Sequence, residues 1–126
     1  IDMETRDQKY AKAAYPKVQA QKGNTIEKGY RTLALNFPVM VLQSGLTQAI
    51  GFLLTKCQSG NEHHAYLNDL AKILGKNDGQ ALHTDIINSQ LAAYQHLTRQ
   101  VLEASAWLKR YTQALLEAEP AANATE

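Results

Sequence analysis

The chain has 126 residues, 44% of them hydrophobic and 20% charged, and its formal net charge is +1 at pH 7. This length suits a single globular domain that buries most of its apolar surface without cross-links, and the near-zero charge argues neither for nor against a nucleic-acid partner. The lone Cys57 excludes an intramolecular disulfide. Because no basic-then-apolar signal segment opens the chain either, we expect a reducing, cytoplasmic location.

Strong helix formers recur along the chain and no segment alternates polar with apolar residues, which predicts an all-α fold. We expect a single-domain bundle of five to six helices with a long C-terminal helix, spanning residues 1–119. The first helix is predicted from Thr5 to Gln21, with Pro16 kinking or dividing it. The second is predicted to begin at Thr25, whose hydroxyl would accept the Lys28 amide, and to end near Asn36 before a kink or restart at Pro38.

Residues 36–56, NFPVMVLQSGLTQAIGFLLTK, form the most apolar stretch of the sequence. A membrane span is excluded, because four polar side chains fall at its midpoint, where they are least tolerated. We expect two buried helical pieces, 38–42 and 46–56, in the centre of the bundle. They would be joined at Gln43-Ser44-Gly45, where Gly45 allows a close approach or a positive φ.

The second half of the chain continues the helical pattern. A loop at 57–61 precedes a helix from Glu62 to Leu74, and a turn at 76–79 precedes a short helix from Ala81 to Ile87. The longest helix is predicted from Ser89 to Glu119, followed by a disordered tail at 120–126. Its apolar residues follow a heptad pattern, which can bury inside the domain or against another chain; the size of the domain favours the internal alternative. The heptad residues are Tyr94, Leu97, Val101, Ala104, Leu108, Tyr111 and Leu115.

Motifs for catalysis, metal binding and nucleotide binding are absent from the sequence. The adjacent His63 and His64 point about 100° apart on a helix and cannot share a metal ion. A single cysteine cannot build a structural zinc site, and neither a nucleophile elbow nor a phosphate-binding glycine loop occurs. We therefore predict no catalytic residue, no metal and no cofactor.

Basic residues are concentrated in the first half, where residues 1–60 hold eight Lys or Arg against four Asp or Glu. Arg6, Lys9 and Lys12 recur every three residues, so they lie within about 120° of one another on a helix and could track phosphates. The alternative is an ordinary solvated helix face. Arg31 could pair with Glu27 one helical turn earlier or face a ligand.

The order of these segments resembles the small subunit of the Cmr complex, the type III-B CRISPR effector that silences RNA. The matching segments are QKYAKAAYPKV, YRTLALNFPVMVLQSGLTQAIGFLLTK, NEHHAYLNDLAKILG and AYQHLTRQVLEASAWLKRY. The most diagnostic part is a proline, an apolar run and Gly-Leu-x-Gln-Ala, here Pro38 to Ala49. The resemblance covers roughly Arg6 to Leu116.

This resemblance implies a helical subunit without catalytic activity of its own. In that family several copies stack into a minor filament beside the backbone subunits, which with the large subunit are the expected protein partners. Basic residues face the channel where guide RNA and target RNA pair, and a backbone subunit cleaves the target. On this chain the expected RNA-facing residues are Lys9, Lys12, Lys17, Arg31 and Lys56, together with Arg6 and Gln43.

Other classes of protein stay open at this point. The small subunit of the related type III-A complex has a similar helical design and an analogous position. A helical adaptor or homodimer could use the heptad residues as its interface and never contact RNA, and an enzyme of unknown class is a further alternative. In the RNA-binding alternatives, a single subunit should bind RNA weakly and without sequence preference, since affinity comes from stacked copies.

Overall fold

The structure is a computed structural model that describes residues 4–116. Across these residues it contains six helices and no strand, so the predicted all-α fold with a long final helix is confirmed. The helices are α1 Arg6–Gln19, α2 Glu27–Ser44, α3 Leu46–Lys56, α4 Glu62–Ile73, α5 Gly79–Asn88 and α6 Leu91–Leu115. None of the helices in this part of the chain is long and apolar enough to cross a membrane. The predicted tail, 120–126, and the predicted last turn of the final helix, 117–119, lie outside the described residues.

Both internal prolines stand within continuous helices. Pro16 lies inside α1, and Pro38 lies inside α2, which runs on to Ser44 instead of ending near Asn36. The predicted division at these residues is therefore wrong. An interior proline costs roughly 3 kcal/mol, and the apolar faces that α1 and α2 bury on both sides of the prolines offset that cost.

The start of α2 also differs from the prediction. Thr25 lies in the turn before the helix, and the residue at the cap is Ile26, whose side chain makes no capping hydrogen bond. The turn is closed instead by Glu27, whose Oε1 accepts the Gly23 amide at 3.0 Å. Thr5, by contrast, caps α1 with its side chain.

A glycine separates the two most apolar helices. Gly45 has φ +88° and ψ 160°, a backbone conformation that essentially only glycine adopts, so the predicted positive φ is confirmed. The predicted burial of the preceding segment is only partly right. Val41 is buried, whereas Val39 is 45% and Leu42 71% exposed, because α2 turns this face away from α6 and α4.

The core lies where α6 and α4 meet the other helices. Helix α6 packs against α1 and α2, and α4 packs against α2, α3 and α5. Most of the heptad residues of α6 point into this core, so the internal alternative is confirmed. Aromatic rings fill its centre: Tyr66 makes edge contacts with Tyr30 and Phe37, with ring centroids 5.7 and 5.4 Å apart.

Two helical glycines should respond oppositely to substitution by alanine. A Cβ at Gly51 would meet nothing within 4 Å, so Gly51→Ala should stabilise the protein by about 0.5–1 kcal/mol through lower chain entropy. A Cβ at the buried Gly79 would lie 2.5 Å from Leu67 Cγ, so Gly79→Ala should destabilise it by about 1–3 kcal/mol. Urea unfolding followed by circular dichroism measures both. Equal effects of the same sign would contradict this packing.

Candidate nucleic-acid interface

The first helix presents a basic strip, defined here as Arg6, Lys9 and Lys12. All three side chains are exposed or half-buried at the surface, as the three-residue spacing predicts. Arg6 and Lys9 also line a shallow cleft of about 380 Å³ between the start of α1, the end of α4 and the middle of α6. The strip is therefore accessible to a ligand along its length.

Two of the three residues in the strip are paired with carboxylates. Arg6 Nε lies 2.8 Å from Glu103 Oε1 on α6, and Lys12 Nζ is paired with Glu4. The hydrogen bond and charge of Lys12 lower the pKa of Glu4, and the charge of Lys9 adds to this. Between residues 4 and 116, Lys9 makes no ion pair of its own, so it is the member of the strip most available to a phosphate.

Lys17 and Arg31 point partly inward. Lys17 is half-buried, and its Nζ donates to the Ala13 carbonyl at 3.3 Å. Its charge also acts on Asp69 of α4, an acidic neighbour that sequence spacing could not reveal. Arg31 is half-buried, and its Nε is buried without a hydrogen-bond partner in the described part of the protein. Neither residue shares the open exposure of the basic strip.

Lys56 and Gln43 lie on other surfaces. Lys56, the last residue of α3, is exposed and holds its Nζ 5.7 Å from the ring centroid of Phe52. Lys56 and Phe52 both line an open cleft of about 440 Å³ between α2, α3 and α4. Gln43 is exposed near the end of α2, one residue from the exposed Leu42. The structure thus groups Arg6, Lys9 and Lys12, and it places Lys56 in a separate cleft.

Sequence reasoning missed a second basic group on α6. The guanidinium of Arg110 lies over the Trp107 ring, 4.7 Å from its centroid, and Lys109 and Arg110 line a small cleft beside Pro38. Trp107 Nε1 donates to Asp7 of α1 at 3.2 Å, which joins this group to the first helix. The three-residue spacing of Trp107 and Arg110 was visible in the sequence and could have indicated the contact.

The histidines occupy separate environments. His63 packs its ring against Phe52, whereas Nε2 of His64 lies 3.0 Å from the Asn68 amide nitrogen. His83 is half-buried and His96 exposed. Between residues 4 and 116 there is no group of three or more His, Cys, Asp or Glu side chains that could hold a metal ion.

A buried carboxyl group beneath α1 predicts a pH dependence of stability. Burial raises the pKa of Asp69, although the hydrogen bond from the Tyr30 hydroxyl, at 2.6 Å, and the charges of Lys17 and Lys72 oppose the rise. Since the folded-state pKa lies above the unfolded one, the stability that this group contributes is present below about pH 4 and is lost as pH rises through the folded pKa.

Asp69→Asn keeps an oxygen that accepts from Tyr30 but cannot ionise. Its free energy of unfolding should therefore gain on the parent as pH rises from roughly 4, and the gain should level off once Asp69 is fully ionised. Urea unfolding at a series of pH values measures the difference between the two proteins. A difference that is constant with pH would contradict the raised pKa.

Together these features define a class: a small helical protein with an exposed cationic strip on its first helix. The sequence model for CRISPR-associated protein (Cas_Cmr5) matches residues 6–115, which include all six helices. The chain belongs to this family, and its resemblance to the Cmr small subunit is confirmed.

Two relatives from Thermus thermophilus agree with this assignment. The chain is 42% identical over 116 residues to the protein named CRISPR system Cmr subunit Cmr5, covering 91% of this chain and 99% of the relative. The crystal structure of a CRISPR-associated Cmr5 family protein superposes with a TM-score of 0.86 at 41% identity, covering 91% of this chain and 100% of that one.

Proposed function

We propose that this chain is a non-catalytic small subunit of the Cmr effector complex. Copies of it would stack into a minor filament beside the backbone subunits and help hold the guide RNA and its target. The observation that carries the assignment is the family match over all six helices. In this proposal target cleavage belongs to a backbone subunit, and the chain supplies a wall of the RNA channel.

The basic strip supports RNA contact. A complex that reads sequence by base pairing needs only backbone contacts from its protein walls, and lysine and arginine supply these without base preference. Lys9 has no ion pair within the described residues, and the two ion pairs beside it join exposed or half-buried side chains, which a phosphate can replace at little cost. Lys12, Lys9 and Arg6 are therefore the first candidates for phosphate contact, ahead of Lys17 and Arg31.

Photo-crosslinking tests RNA contact directly. A target RNA that contains 4-thiouridine is bound to the assembled Cmr complex and irradiated, and crosslinked peptides of this chain are identified by mass spectrometry. We expect crosslinks on α1, within the peptide around Lys9 and Lys12. Crosslinks to backbone subunits with none to this chain would favour the adaptor that never contacts RNA.

The choice between complexes has its own test. The chain is mixed with the remaining subunits of a type III-B complex and, in parallel, with those of a type III-A complex from the same source. We expect incorporation into the type III-B particle only, since the family match is to Cmr5. Incorporation into the type III-A particle would overturn this assignment.

A further inference from the structure

The cleft between α2, α3 and α4 combines an aromatic ring with polar groups of several kinds. Its apolar wall is formed by Leu33, Met40 and the half-buried Phe52. Its volume is about 440 Å³, which lies in the range of small-molecule sites. The remaining lining residues are polar or small: Gly29, Thr32, Asn36, Lys56, Glu62 and His63.

The aromatic ring is framed for stacking. The Lys56 ammonium lies over the Phe52 ring at 5.7 Å, and the His63 ring meets Phe52 at 5.9 Å with an interplanar angle of 66°. Because Lys56 is exposed, its flexible side chain can leave the ring face when another planar group stacks there. The displaced ammonium would then lie next to that group's phosphate.

Hydrogen-bonding groups surround the ring, and several of them have capacity to spare. Nδ1 of His63 is buried with no hydrogen-bond partner in the described part of the protein and lies 3.8 Å from Glu62 Oε2. Asn36 is exposed on the same face of α2 as Leu33 and Met40, and its amide both donates and accepts. Glu62 lies across Gly29, where a Cβ would come within 2.8 Å of its carboxyl carbon. Absence of a side chain at Gly29 thus keeps the carboxylate in the cleft.

From this combination we propose that the cleft binds a nucleobase of single-stranded RNA, stacked on Phe52 with its phosphate at Lys56. The inference rests on the proposed function and names a second contact separate from the basic strip. An aromatic ring, a nearby cation and adjustable donors and acceptors form the pattern of sequence-tolerant single-strand recognition. An apolar partner helix is a poorer match, because polar groups line both the α2 and the α4 side of the cleft.

The test uses the full-length chain and three ligands followed by NMR: a ten-nucleotide single-stranded RNA, the same length of abasic ribose-phosphate chain, and AMP. The native RNA and AMP should shift the amide resonances of Phe52, Lys56 and Asn36. The abasic chain should leave these resonances in place while it shifts those of the basic strip. AMP binding as tightly as the RNA would instead indicate a free-nucleotide site and overturn the RNA assignment.

Two variants separate stacking from simple burial. Phe52→Leu keeps an apolar side chain and removes the π face, so the affinity of the cleft for native RNA should fall about tenfold. Phe52→Trp should preserve it. Asn36→Ala, at an exposed position, should alter the preference among bases without affecting folding, and Leu91→Ala, distant in sequence and 71% exposed, serves as the matched control.

Failure of this inference is distinguishable from failure of the proposed function. If native and abasic RNA shift the cleft equally, or if RNA shifts only the basic strip, the nucleobase site is wrong and RNA contact survives. Concentration-dependent shifts in the cleft without RNA would assign it to a contact between copies and also overturn the inference. Absence of any RNA crosslink to this chain in the assembled complex would remove the proposed RNA contact itself.

Discussion

Replacing Phe37 by alanine is expected to destabilise the protein by about 3–5 kcal/mol. The ring is fully buried, with its centroid 5.4 Å from that of Tyr66, and it lies in α2 next to Pro38. Removing it leaves a cavity among rings that cannot easily collapse. The helix would also lose packing that offsets the cost of the neighbouring proline.

Chemical unfolding in urea at constant pH measures this loss. Because small domains are stable by only about 5–15 kcal/mol, the variant should be close to unfolding at ambient temperature. Leu42→Ala is the matched control, on the same helix but 71% exposed, and should change stability by no more than about 0.5 kcal/mol. A cost below about 1 kcal/mol for Phe37→Ala would show that the aromatic centre is not tightly packed.

Reversing the charge of Lys9 and Lys12 together is expected to give the largest functional effect. In the assembled complex, Lys9→Glu with Lys12→Glu should weaken target RNA binding by about tenfold or more and lower the salt dependence of binding. Two attractive phosphate contacts become repulsive, and Lys12→Glu adds repulsion from Glu4. Stacked copies multiply the effect along one RNA.

The matched control carries the same change of charge elsewhere on the surface. Lys28 and Arg99 lie outside the predicted RNA-facing set and are exposed or half-buried at the surface, so Lys28→Glu with Arg99→Glu should reduce affinity much less. Filter binding at several salt concentrations, with complexes of verified composition, compares the two double variants. Equal losses would mean that only net charge matters and that the basic strip has no special role.

The helices could be predicted because helix formers and apolar spacing are local properties of the sequence. The prolines misled the prediction for the opposite reason: whether Pro38 ends a helix depends on what Phe37 and Val41 bury against, which is tertiary. Exposure of Val39 and Leu42 was likewise unpredictable. In a run that is apolar on every side, periodicity does not show which side faces solvent.

The basic strip could be predicted from spacing alone, but the partners of its residues could not. Glu103 is 97 residues from Arg6 in the chain, and only the packing of α6 against α1 brings them together. The second cleft was invisible for the same reason, because α2, α3 and α4 each supply a part of it. Lys56 was chosen from the sequence through the resemblance, while Phe52 and His63 beside it were not.

Reconstitution of the Cmr complex with and without this chain tests the central claim most directly. A guide-matched target RNA is added to both preparations, and its protection from nuclease and its cleavage are followed. We predict that omission abolishes protection of the target along the filament and impairs cleavage, and that adding back the parental chain restores both. Equal protection and cleavage in the two preparations would contradict the account of this protein as an RNA-holding subunit.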